Sequence, residues 1–363
     1  MVGRERDVLA PVEKARAVRT AIESATGKKH IREAQIILLS GGLDSSICAS
    51  LLPKIPTYTI SLEGTRLYSD LRFAGRLVKH LRTEDLWHPI VVTEKEAAAG
   101  LRPIINITQS YDTALLNDLA LIIAIQRAQE GLGKDITVIS GEPADNFFRG
   151  YHHTYEMSER RLVKDIDNIT AETLPLAPFE KALGIRAVYP YLEPEVKDVA
   201  RRFKRKEDNI IYRNKPGGVW DTHPDNPKRE TGAPYPFGKF LLRAATADIL
   251  PPVTSMRMKT DIQFGSGMVA LESYLESMVA PEELASYKDE GLHLRSKSHA
   301  GMLWLLRDEN VRLRKPGKNE YPCHWCKSGV RNGSHHCRTC GGYPADATHE
   351  EFQVMLRRGL ILF

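Results

Sequence analysis

Long apolar runs and dispersed cysteines are largely missing from this 363-residue sequence. Its longest apolar stretch, residues 114–125, is interrupted by Asn117 and Asp118 and is shorter than the roughly 20 residues that a membrane-spanning helix needs. The charged N-terminus, MVGRERDVLAPVEKAR, lacks the apolar segment of a secretory signal. These absences exclude membrane, fibrous and disulfide-stapled secreted proteins. They favour a soluble protein in a reducing, cytoplasmic compartment.

A strong excess of either charge is also missing, since 51 Lys and Arg against 46 Asp and Glu leave only +5. The distribution is nevertheless uneven. Between Gly291 and Cys340 there are ten basic and three acidic residues, a local charge of +7, so the rest of the chain carries −2. With 42% hydrophobic and 27% charged residues the chain has a globular composition, and its length allows two domains. We therefore expect a near-neutral body with a basic C-terminal module.

The first 150 residues alternate between two hydrophobic periods. Short apolar runs predict strands, and amphipathic stretches between them predict helices. The predicted strands are 34–39, 55–62, 88–93 and 135–140, and the predicted helices are 10–28, 44–52, 69–82, 94–106 and 113–131. This alternation predicts an α/β fold with a parallel sheet, which binds ligands at the carboxyl ends of its strands.

Beyond Gly150 the strand pattern fades and helical patterns dominate. The predicted helices are 155–170, 193–205, 238–249, 268–290, 298–309 and 349–360. Residues 206–237 are polar and rich in Pro and Gly, which indicates a surface excursion.

A loop rich in glycine and serine follows the first predicted strand, with the sequence Ser40-Gly41-Gly42-Leu43-Asp44-Ser45-Ser46. Paired glycines bring backbone N–H groups close to a phosphate, and the following helix adds its positive N-terminal end. Asp44 next to phosphates suggests a bound Mg²⁺. The alternative is an ordinary strand–helix turn in which Asp44 or Ser45 caps the helix. The loop has neither the Walker nor the G-x-G-x-x-G spacing.

The string SGGLDSS resembles the pyrophosphate loop of the ATP pyrophosphatase superfamily, whose members cleave ATP to AMP and pyrophosphate. Three further blocks resemble asparagine synthetase and follow one another in that family's order. They are SGEPADNFFRGY at residues 140–151, GIRAVYPYLE at residues 184–193, and GKFLLR…LPPV…RMK…F at residues 238–264. Four positions depart from the family pattern, namely Pro143, Asn146, Arg149 and Glu193. They affect the identity of the substrate more than the ATP chemistry.

The resemblance implies a five-stranded, Rossmann-like sheet of the adenine-nucleotide α-hydrolase kind and an AMP-forming carbon–nitrogen ligase. A carboxylate would be adenylated by ATP and then captured by ammonia or another amine. Glu142 would orient substrate or accept a proton, and Lys259 would stabilise transition-state charge. ATP would be bound by Ser40, Gly41, Gly42, Asp44, Ser45 and Gly141, with Arg243 and Lys239 as weaker candidates. Asp44 and Asp145 would ligate Mg²⁺.

The family's N-terminal glutaminase domain is not expected here, because the second residue is Val2 rather than a nucleophilic cysteine and few residues precede the first predicted strand. Free ammonia, another amine or a separate amidotransferase partner would then supply nitrogen.

Four of the five cysteines form the pattern C-x₂-C-x₁₀-C-x₂-C, at Cys323, Cys326, Cys337 and Cys340. Two such pairs predict a closed structural Zn²⁺ site, because four thiolates complete a tetrahedral shell. Cys48 is predicted to be a core thiol. Basic and aromatic residues surround the cluster, so nucleic-acid binding stays open, although a solvated basic face is favoured.

The patterns together predict three segments. These are an N-terminal helix at 1–32, a synthetase-like domain at 33–290 and a zinc-ribbon-like module at 291–363. Two alternatives to an amide ligase remain. One is an enzyme that modifies tRNA or a nucleobase by adenylation, and the other is a non-catalytic nucleotide-binding adaptor.

Overall fold

The computed structural model describes residues 10–65, 69–213 and 235–363. Most of the polar excursion predicted at 206–237 lies outside these described residues. The described residues form two compact units. The first is drawn from Met1–Ser61, Thr65–Ile90 and Ala124–Asp261, and the second from Leu62–Gly64, Val91–Ile123 and Ile262–Phe363.

A five-stranded sheet organises the fold. Its strands are β1 (Ile36–Leu38), β2 (Thr57–Leu62), β3 (Trp87–Val92), β4 (Ile136–Ile139) and β5 (Ile185–Val188), in the order β3-β2-β1-β4-β5. Strand β1 pairs in parallel with both β2 and β4, with Ile37 opposite Thr57 on one side and Ile139 on the other. The chain therefore leaves β1 toward one edge and returns through β4 on its other side, which makes the β1–β4 border the switch point of the sheet.

The helices of the chain follow the apolar periodicity of the sequence. For example, the buried residues of the fourth helix, Phe73, Ala74, Leu77 and Val78, recur at three- and four-residue spacing. Up to the end of the sheet the helices are α1 (Pro11–Gly27), α2 (Lys29–Arg32), α3 (Leu43–Leu51), α4 (Asp70–Leu81), α5 (Glu94–Thr108), α6 (Leu115–Leu132), α7 (Ala144–Phe147), α8 (His152–Tyr155), α9 (Glu159–Asn168) and α10 (Glu180–Leu183).

The remaining helices and strands follow the sheet along the chain. The helices are α11 (Pro194–Arg202), α12 (Lys206–Asn209), α13 (Phe240–Ala245), α14 (Pro252–Ser255), α15 (Ile262–Gly265), α16 (Leu271–Ser277), α17 (Pro281–Asp289), α18 (Lys297–Asp308) and α19 (His349–Arg357). Two antiparallel hairpins pair β6 (Ile211–Arg213) with β7 (Tyr235–Phe237) and β8 (Glu320–Pro322) with β9 (Gly329–Arg331). Single 3-10 turns lie at Glu84–Leu86, Ala171–Thr173, Ala177–Phe179, Pro190–Leu192 and Met268–Ala270.

The core of the first unit joins the sheet to the N-terminal helix. Val18, Ile22 and Ala25 of α1 are fully buried and belong to the same apolar cluster as Ile37 of β1 and Ile139 of β4. Helix α1 packs on α11 and α13. The N-terminal helix is thus part of the first unit's core.

The second unit is built around α16 and α18, which pack against each other and against α5. The two helices approach closely at Gly301, where a Cβ would lie only 2.2 Å from the carbonyl oxygen of Leu275. Leu303 and Leu306 of α18 are fully buried in this unit.

The predicted α/β fold with a parallel sheet is confirmed, including all four predicted strands. The fifth strand, β5, was not predicted from periodicity. The helix predicted at 268–290 is instead two helices, because Pro281 begins α17 and cannot continue α16. No helix among the described residues is long and apolar enough to cross a membrane. The segment boundaries at residues 32 and 290 stay predictions.

Candidate active site

The loop after β1 closes on itself through its two serine hydroxyls. The backbone N–H of Ser40 donates to Ser45 Oγ at 3.2 Å, and the N–H of Gly42 donates to Ser40 Oγ at 3.2 Å. The two hydroxyl oxygens lie 3.1 Å apart. Helix α3 begins directly afterwards, at Leu43, with Asp44 in its first turn. The loop therefore gathers hydroxyl and amide groups at the carboxyl end of β1.

Two glycines allow this loop to pack against its neighbours. Gly41 has a φ of +67°, and a Cβ there would lie 2.4 Å from the backbone nitrogen of Ala74. Gly141, which follows β4, has so little room that a Cβ would lie 2.8 Å from the backbone nitrogen of Ser45. Glycine is thus required at position 41 for the loop to pack against α4, and at position 141 for the loops after β1 and β4 to meet.

The loop after β4 brings the second set of carboxylates. Glu142 is half-buried, and Asp145, in the short helix α7, is 3% exposed. Because β1 and β4 are neighbours, Asp44 and Asp145 leave the same edge of the sheet, at its switch point.

Two lysines from the later part of the first unit join these carboxylates. The Nζ of Lys239 lies 2.5 Å from Asp44 Oδ2 and 2.6 Å from Asp145 Oδ1. The Nζ of Lys259 lies 3.2 Å from Asp145 Oδ2 and 3.8 Å from a carboxylate oxygen of Asp261. The side chain of Lys239 is only 4% exposed, whereas that of Lys259 is 24% exposed. One lysine is enclosed in the cluster and the other borders solvent.

The electrostatics separate the three carboxylates. Burial alone would raise the pKa of Asp145, but the charges of Lys239 and Lys259 outweigh it and hold the pKa well below its usual range. Burial raises the pKa of Asp44, against the opposing charge of Lys239. Burial also raises the pKa of Glu142, to about 7, opposed by Lys259 and reinforced by Asp145 and Asp44. Burial lowers the pKa of Lys259, but Asp145, Glu142 and Asp44 together raise it above its usual value.

Tyr151 closes the side of the cluster next to Glu142. The ammonium of Lys259 lies 5.1 Å from the centre of the Tyr151 ring. The charge of Glu142, together with burial, raises the pKa of Tyr151 well above its usual value, so the phenol stays protonated. Tyr151 is therefore a hydrogen-bond donor next to Glu142 and Lys259.

Arg257 and Tyr191 hold the backbone of the loop after β1 through hydrogen bonds to its carbonyl groups. Arg257 donates from Nη1 to the carbonyl of Ser40 at 2.7 Å and from Nη2 to Asp70 at 2.7 Å, with its guanidinium 4.0 Å from the Phe73 ring centre. The hydroxyl of Tyr191 donates to the backbone carbonyl of Asp44 at 3.2 Å. These buried bonds fix both ends of the loop.

The structure brings together most of the residues predicted for the site. The loop residues Ser40, Gly41, Gly42, Asp44 and Ser45 lie with Gly141, Glu142, Asp145 and Lys259. Arg243 is used differently, because its guanidinium donates to the carbonyls of Gly238 and Ser255 and stacks 3.9 Å from the Phe237 ring centre. Its role in ATP binding stays a prediction.

Lys239 is more central than the sequence indicated. It was only a weak candidate, yet it bridges both aspartates. The sequence feature that could have indicated this position is the pair Gly238-Lys239. Gly238 lets the chain pass close to Arg149, because a Cβ there would lie 2.1 Å from the Arg149 carbonyl oxygen. Tyr151 belongs to the family-like segment at residues 140–151, but the sequence indicated no role for it.

Two of the four positions that depart from the family pattern, Arg149 and Glu193, bond to groups outside this cluster. The buried guanidinium of Arg149 donates to the backbone carbonyls of Thr154, Met157 and Lys204. Glu193 pairs with Lys28 at 2.6 Å and with His30 at 2.9 Å, and so anchors the N-terminal helices. Both residues are placed to stabilise structure.

The carboxylates suit a divalent cation. Asp44 Oδ1 is buried and has no hydrogen-bond partner among the described residues. A buried carboxylate oxygen without a donor is costly unless a cation or ligand meets it. Asp44 and Asp145 together offer the oxygen ligands that Mg²⁺ prefers.

The second unit contains a separate cluster of four buried thiols. The Sγ atoms of Cys323, Cys326, Cys337 and Cys340 all lie within 4.8 Å of one another. Two of the separations are 3.8 Å and 3.7 Å. A tetrahedral zinc with Zn–S bonds of about 2.3 Å has sulfur–sulfur edges of about 3.8 Å. The cluster can therefore hold a metal ion, whereas disulfides require about 2.05 Å between sulfurs.

Comparison with known proteins agrees with this geometry. The family described as asparagine synthase matches residues 18–218, more than half of the chain. The carboxyethyl-arginine beta-lactam-synthase of Streptomyces clavuligerus is 28% identical over 278 residues, which cover 75% of this chain and 48% of that protein.

Two glutamine-hydrolyzing asparagine synthetases are also similar. The protein of Sandersonia aurantiaca is 29% identical over 51% of this chain and 38% of its own length, and asparagine synthetase B of Escherichia coli K12 is 23% identical over 71% of this chain and 46% of its own. The chain thus aligns with about half or less of each relative's length. With more than half of its residues matched to one family, the chain belongs to the asparagine synthase family.

Proposed function

We propose that this chain is an ATP-dependent, AMP-forming carbon–nitrogen ligase that adenylates a substrate carboxylate and transfers the acyl group to ammonia or another amine. One observation carries the proposal. Asp44, Asp145, Lys239 and Lys259 form a single ion-paired cluster at the sheet switch point, next to a loop lined with hydroxyl and amide donors. Such an arrangement suits a reaction whose main barrier is negative charge building up on phosphates.

In the first step a carboxylate oxygen would attack the α-phosphorus of ATP, and the bond to the bridging oxygen would break to release pyrophosphate. The loop Ser40–Ser45 would bind the phosphates through its hydroxyl and amide groups. Lys239 and Lys259 would neutralise the growing charge. Asp44 and Asp145 are the residues that would hold Mg²⁺, which when bound neutralises phosphate charge.

In the second step the amine nitrogen would attack the acyl carbon, and the bond to AMP would break. Glu142 would accept the proton that the amine loses, since its pKa of about 7 is close to the working pH. Tyr151 and Lys259, next to Glu142, would stabilise the negative oxygen of the tetrahedral intermediate. A separate amidotransferase as nitrogen source stays a prediction.

A substrate screen tests the proposal directly. Candidate carboxylates would be incubated with ATP, Mg²⁺ and ammonium, while the release of AMP and of pyrophosphate is measured separately. We expect the two products in equal amounts with at least one carboxylate. Release of ADP and phosphate instead would contradict an AMP-forming ligase.

Asp44→Asn tests the carboxylate cluster with that substrate. It keeps the side-chain volume but removes the charge that pairs with Lys239, so we expect carboxylate-dependent ATP–pyrophosphate exchange to fall about 100-fold or more. Asp85→Asn, at an exposed position of the 3-10 turn Glu84–Leu86, is the matched control and should exchange normally. Unchanged exchange in Asp44→Asn would remove Asp44 from the site.

For the second unit, the separations between the sulfurs support a structural Zn²⁺ held by Cys323, Cys326, Cys337 and Cys340. All four thiols are at most 1% exposed, and the shell is complete with protein ligands. Such a closed site stabilises the fold rather than supplying catalysis.

A further inference from the structure

Exposed positive charges are concentrated on the hairpin β8–β9 and on the segment that precedes it, next to Cys323. Five exposed cations form what we call the basic hairpin surface: Arg312, Arg314, Lys315, Lys318 and Arg331. Arg331 lies on β9, directly opposite Glu320 of β8. Arg314 reaches the same strand pair, since its Nη2 donates to Glu320 Oε1 at 2.6 Å and its backbone carbonyl accepts the N–H of Gly329.

The single negative charge of Glu320 does not balance these five positive charges. Only Arg314 forms an ion pair with it, and the other four cations have no carboxylate partner among the described residues. The hydrogen bond from Arg314 lowers the pKa of Glu320, with help from the backbone N–H of Gly317 and the charge of Arg331. Glu320 therefore stays ionised, yet the surface keeps a net charge of about +4 at neutral pH.

The backbone under these cations is held in place. Glu320 Oε2 accepts the N–H of Gly317 at 2.8 Å, and the N–H of Asn332 donates to the carbonyl of Asn319 at 3.2 Å. Beyond the hairpin, the N–H of Cys323 donates to the carbonyl of Ser328 at 2.7 Å. The cations are thus displayed from a fixed loop and hairpin, so that less ordering entropy opposes binding.

The composition of the surface distinguishes among anionic partners. Within residues 311–322 and 329–332 the other exposed residues are Pro316, Gly317, Asn319, Pro322 and Asn332, and no large apolar side chain of these segments is exposed. Protein interfaces need buried apolar or aromatic anchors, and membrane-bound segments need apolar groups that enter the lipid. Arginine, lysine and asparagine donors without such anchors match the phosphate and sugar groups of a nucleic acid.

We propose that the basic hairpin surface binds the phosphodiester backbone of a nucleic acid, independently of base sequence. The excess of positive charge is local, because outside residues 291–340 the chain has a net charge of −2. Affinity would come from released counterions and would depend steeply on salt. This binding is separate from the proposed ligase reaction and does not depend on it.

The test measures binding of the full chain to a fluorescein-labelled 20-nucleotide poly(U) RNA, and to poly(dT) of the same length, by fluorescence anisotropy between about 50 and 200 mM salt. We expect a linear fall of log affinity with log salt, with a slope of about −0.7 per phosphate contact. Lys315→Gln/Lys318→Gln/Arg331→Gln should make the slope about 2 units shallower and weaken binding at least tenfold at low salt. Arg314 is left intact because it bonds to the hairpin.

The matched control removes three positive charges elsewhere, in Lys54→Gln/Lys79→Gln/Lys164→Gln, all at exposed positions of the first unit. Normal binding by this control, with unchanged metal content in both variants, would support the proposal. Absence of binding at 50 mM salt, or equal losses in both triple variants, would overturn it. Binding to phosphatidylserine vesicles without binding to either oligonucleotide would also overturn it, in favour of a lipid partner.

Discussion

Glu142 differs from the two aspartates of the candidate site because it forms no ion pair among the described residues. Asp44 and Asp145 both contact Lys239, which keeps Asp145 ionised and ties Asp44 to the cluster. The charges of Lys259, Asp145 and Asp44 also act on Glu142. Burial raises the pKa of Glu142 to about 7, which leaves it partly protonated at neutral pH. In the proposed mechanism, the neighbours of these three carboxylates would divide them between binding and proton transfer.

The proton-acceptor role proposed for Glu142 predicts a pH dependence. Only the carboxylate form of Glu142 can accept a proton, so its active fraction increases as pH rises. At a fixed concentration of the unprotonated amine, amide formation should therefore increase through about pH 7 and then level off. Glu142→Gln should abolish this limb and slow amide formation about 100-fold or more. ATP–pyrophosphate exchange, which needs no base for the amine, should persist. The measurement is both rates between pH 5.5 and 9.

Glu84→Gln, at an exposed position of the first unit, is the control for the loss of one carboxylate and should behave as the wild-type chain. If Glu142→Gln lost exchange as completely as amide formation, Glu142 would belong to ATP binding instead. An unchanged pH limb in that variant would assign the titration to another group.

At the scale of single elements, helix α1 shows how much the N-terminal segment contributes to the fold. The N-terminal helix was predicted as the segment 1–32, and the apolar face of α1 enters the core formed with α11 and α13. Polar contacts add to this packing, since Lys28 pairs with Glu193 at 2.6 Å and with Glu195 at 2.8 Å. Loss of contact along α1 would therefore expose the core beneath the sheet.

Two valines of α1 allow a matched test of this packing. Val18 is fully buried, whereas Val12 is 68% exposed. Val18→Ala removes two buried methyl groups and leaves a cavity, so the free energy of unfolding should fall by about 2 kcal/mol. Val12→Ala should change it by less than about 0.5 kcal/mol. Urea unfolding followed by circular dichroism measures both, and equal values for the two variants would contradict the packing of α1.

The hairpin β8–β9 is an element that depends on tertiary support. Each strand is three residues long, and an isolated hairpin of this size is at best marginally stable in water. Trp325, 3% exposed, lies in the loop between the two strands. Its ring meets the Phe352 ring edge-on at 5.2 Å, and its Nε1 donates to the carbonyl of Pro344. The four thiols hold the same region together only when a metal neutralises their charge.

At the scale of the whole molecule, metal content tests what stabilises the second unit. The wild-type chain should contain about one Zn²⁺, and Cys323→Ser/Cys337→Ser should lose it, because two ligands are removed from a four-ligand shell. Amide exchange should then become faster across residues 320–345, since metal binding is coupled to folding. Elemental analysis and hydrogen exchange measure these two effects.

Cys48→Ala is the control for this experiment, because Cys48 is fully buried in the first unit and is not part of the cluster. It should retain the metal and the slow exchange at 320–345. A double variant with undiminished zinc would show that the ion is held elsewhere.

Periodicity and short motifs were sufficient to predict much of this protein. Alternation of apolar runs with amphipathic stretches gave four strands and the parallel sheet, because strand and helix periods are local properties of the chain. The glycine- and serine-rich loop could be identified from its residue types. They are a local property too, since the positive φ at Gly41 requires a glycine. The spacing of the four cysteines alone predicted a metal site, because two C-x₂-C pairs can place four thiolates in a tetrahedron.

Strand β5 shows where this local signal ends. Its length is not the reason, since β4 also has four residues and β1 has three, but the apolar run Ile185–Val188 is interrupted by Arg186, which is exposed. Only pairing with β4, which is far away in sequence, makes this segment a strand. The break between α16 and α17 at Pro281 was readable in principle, but the apolar pattern continues across it.

The sequence by itself determined the fold class, the glycine- and serine-rich loop and the thiol cluster, because each rests on residues close together in the chain. Only the tertiary structure decided which charges meet. Lys239 contacts Asp44 across 195 positions of sequence, while Arg243, four residues further on, turns to backbone carbonyls. Ranking such cations requires their distances and their burial, because the energy of an ion pair depends on both, and a list of residue types contains neither.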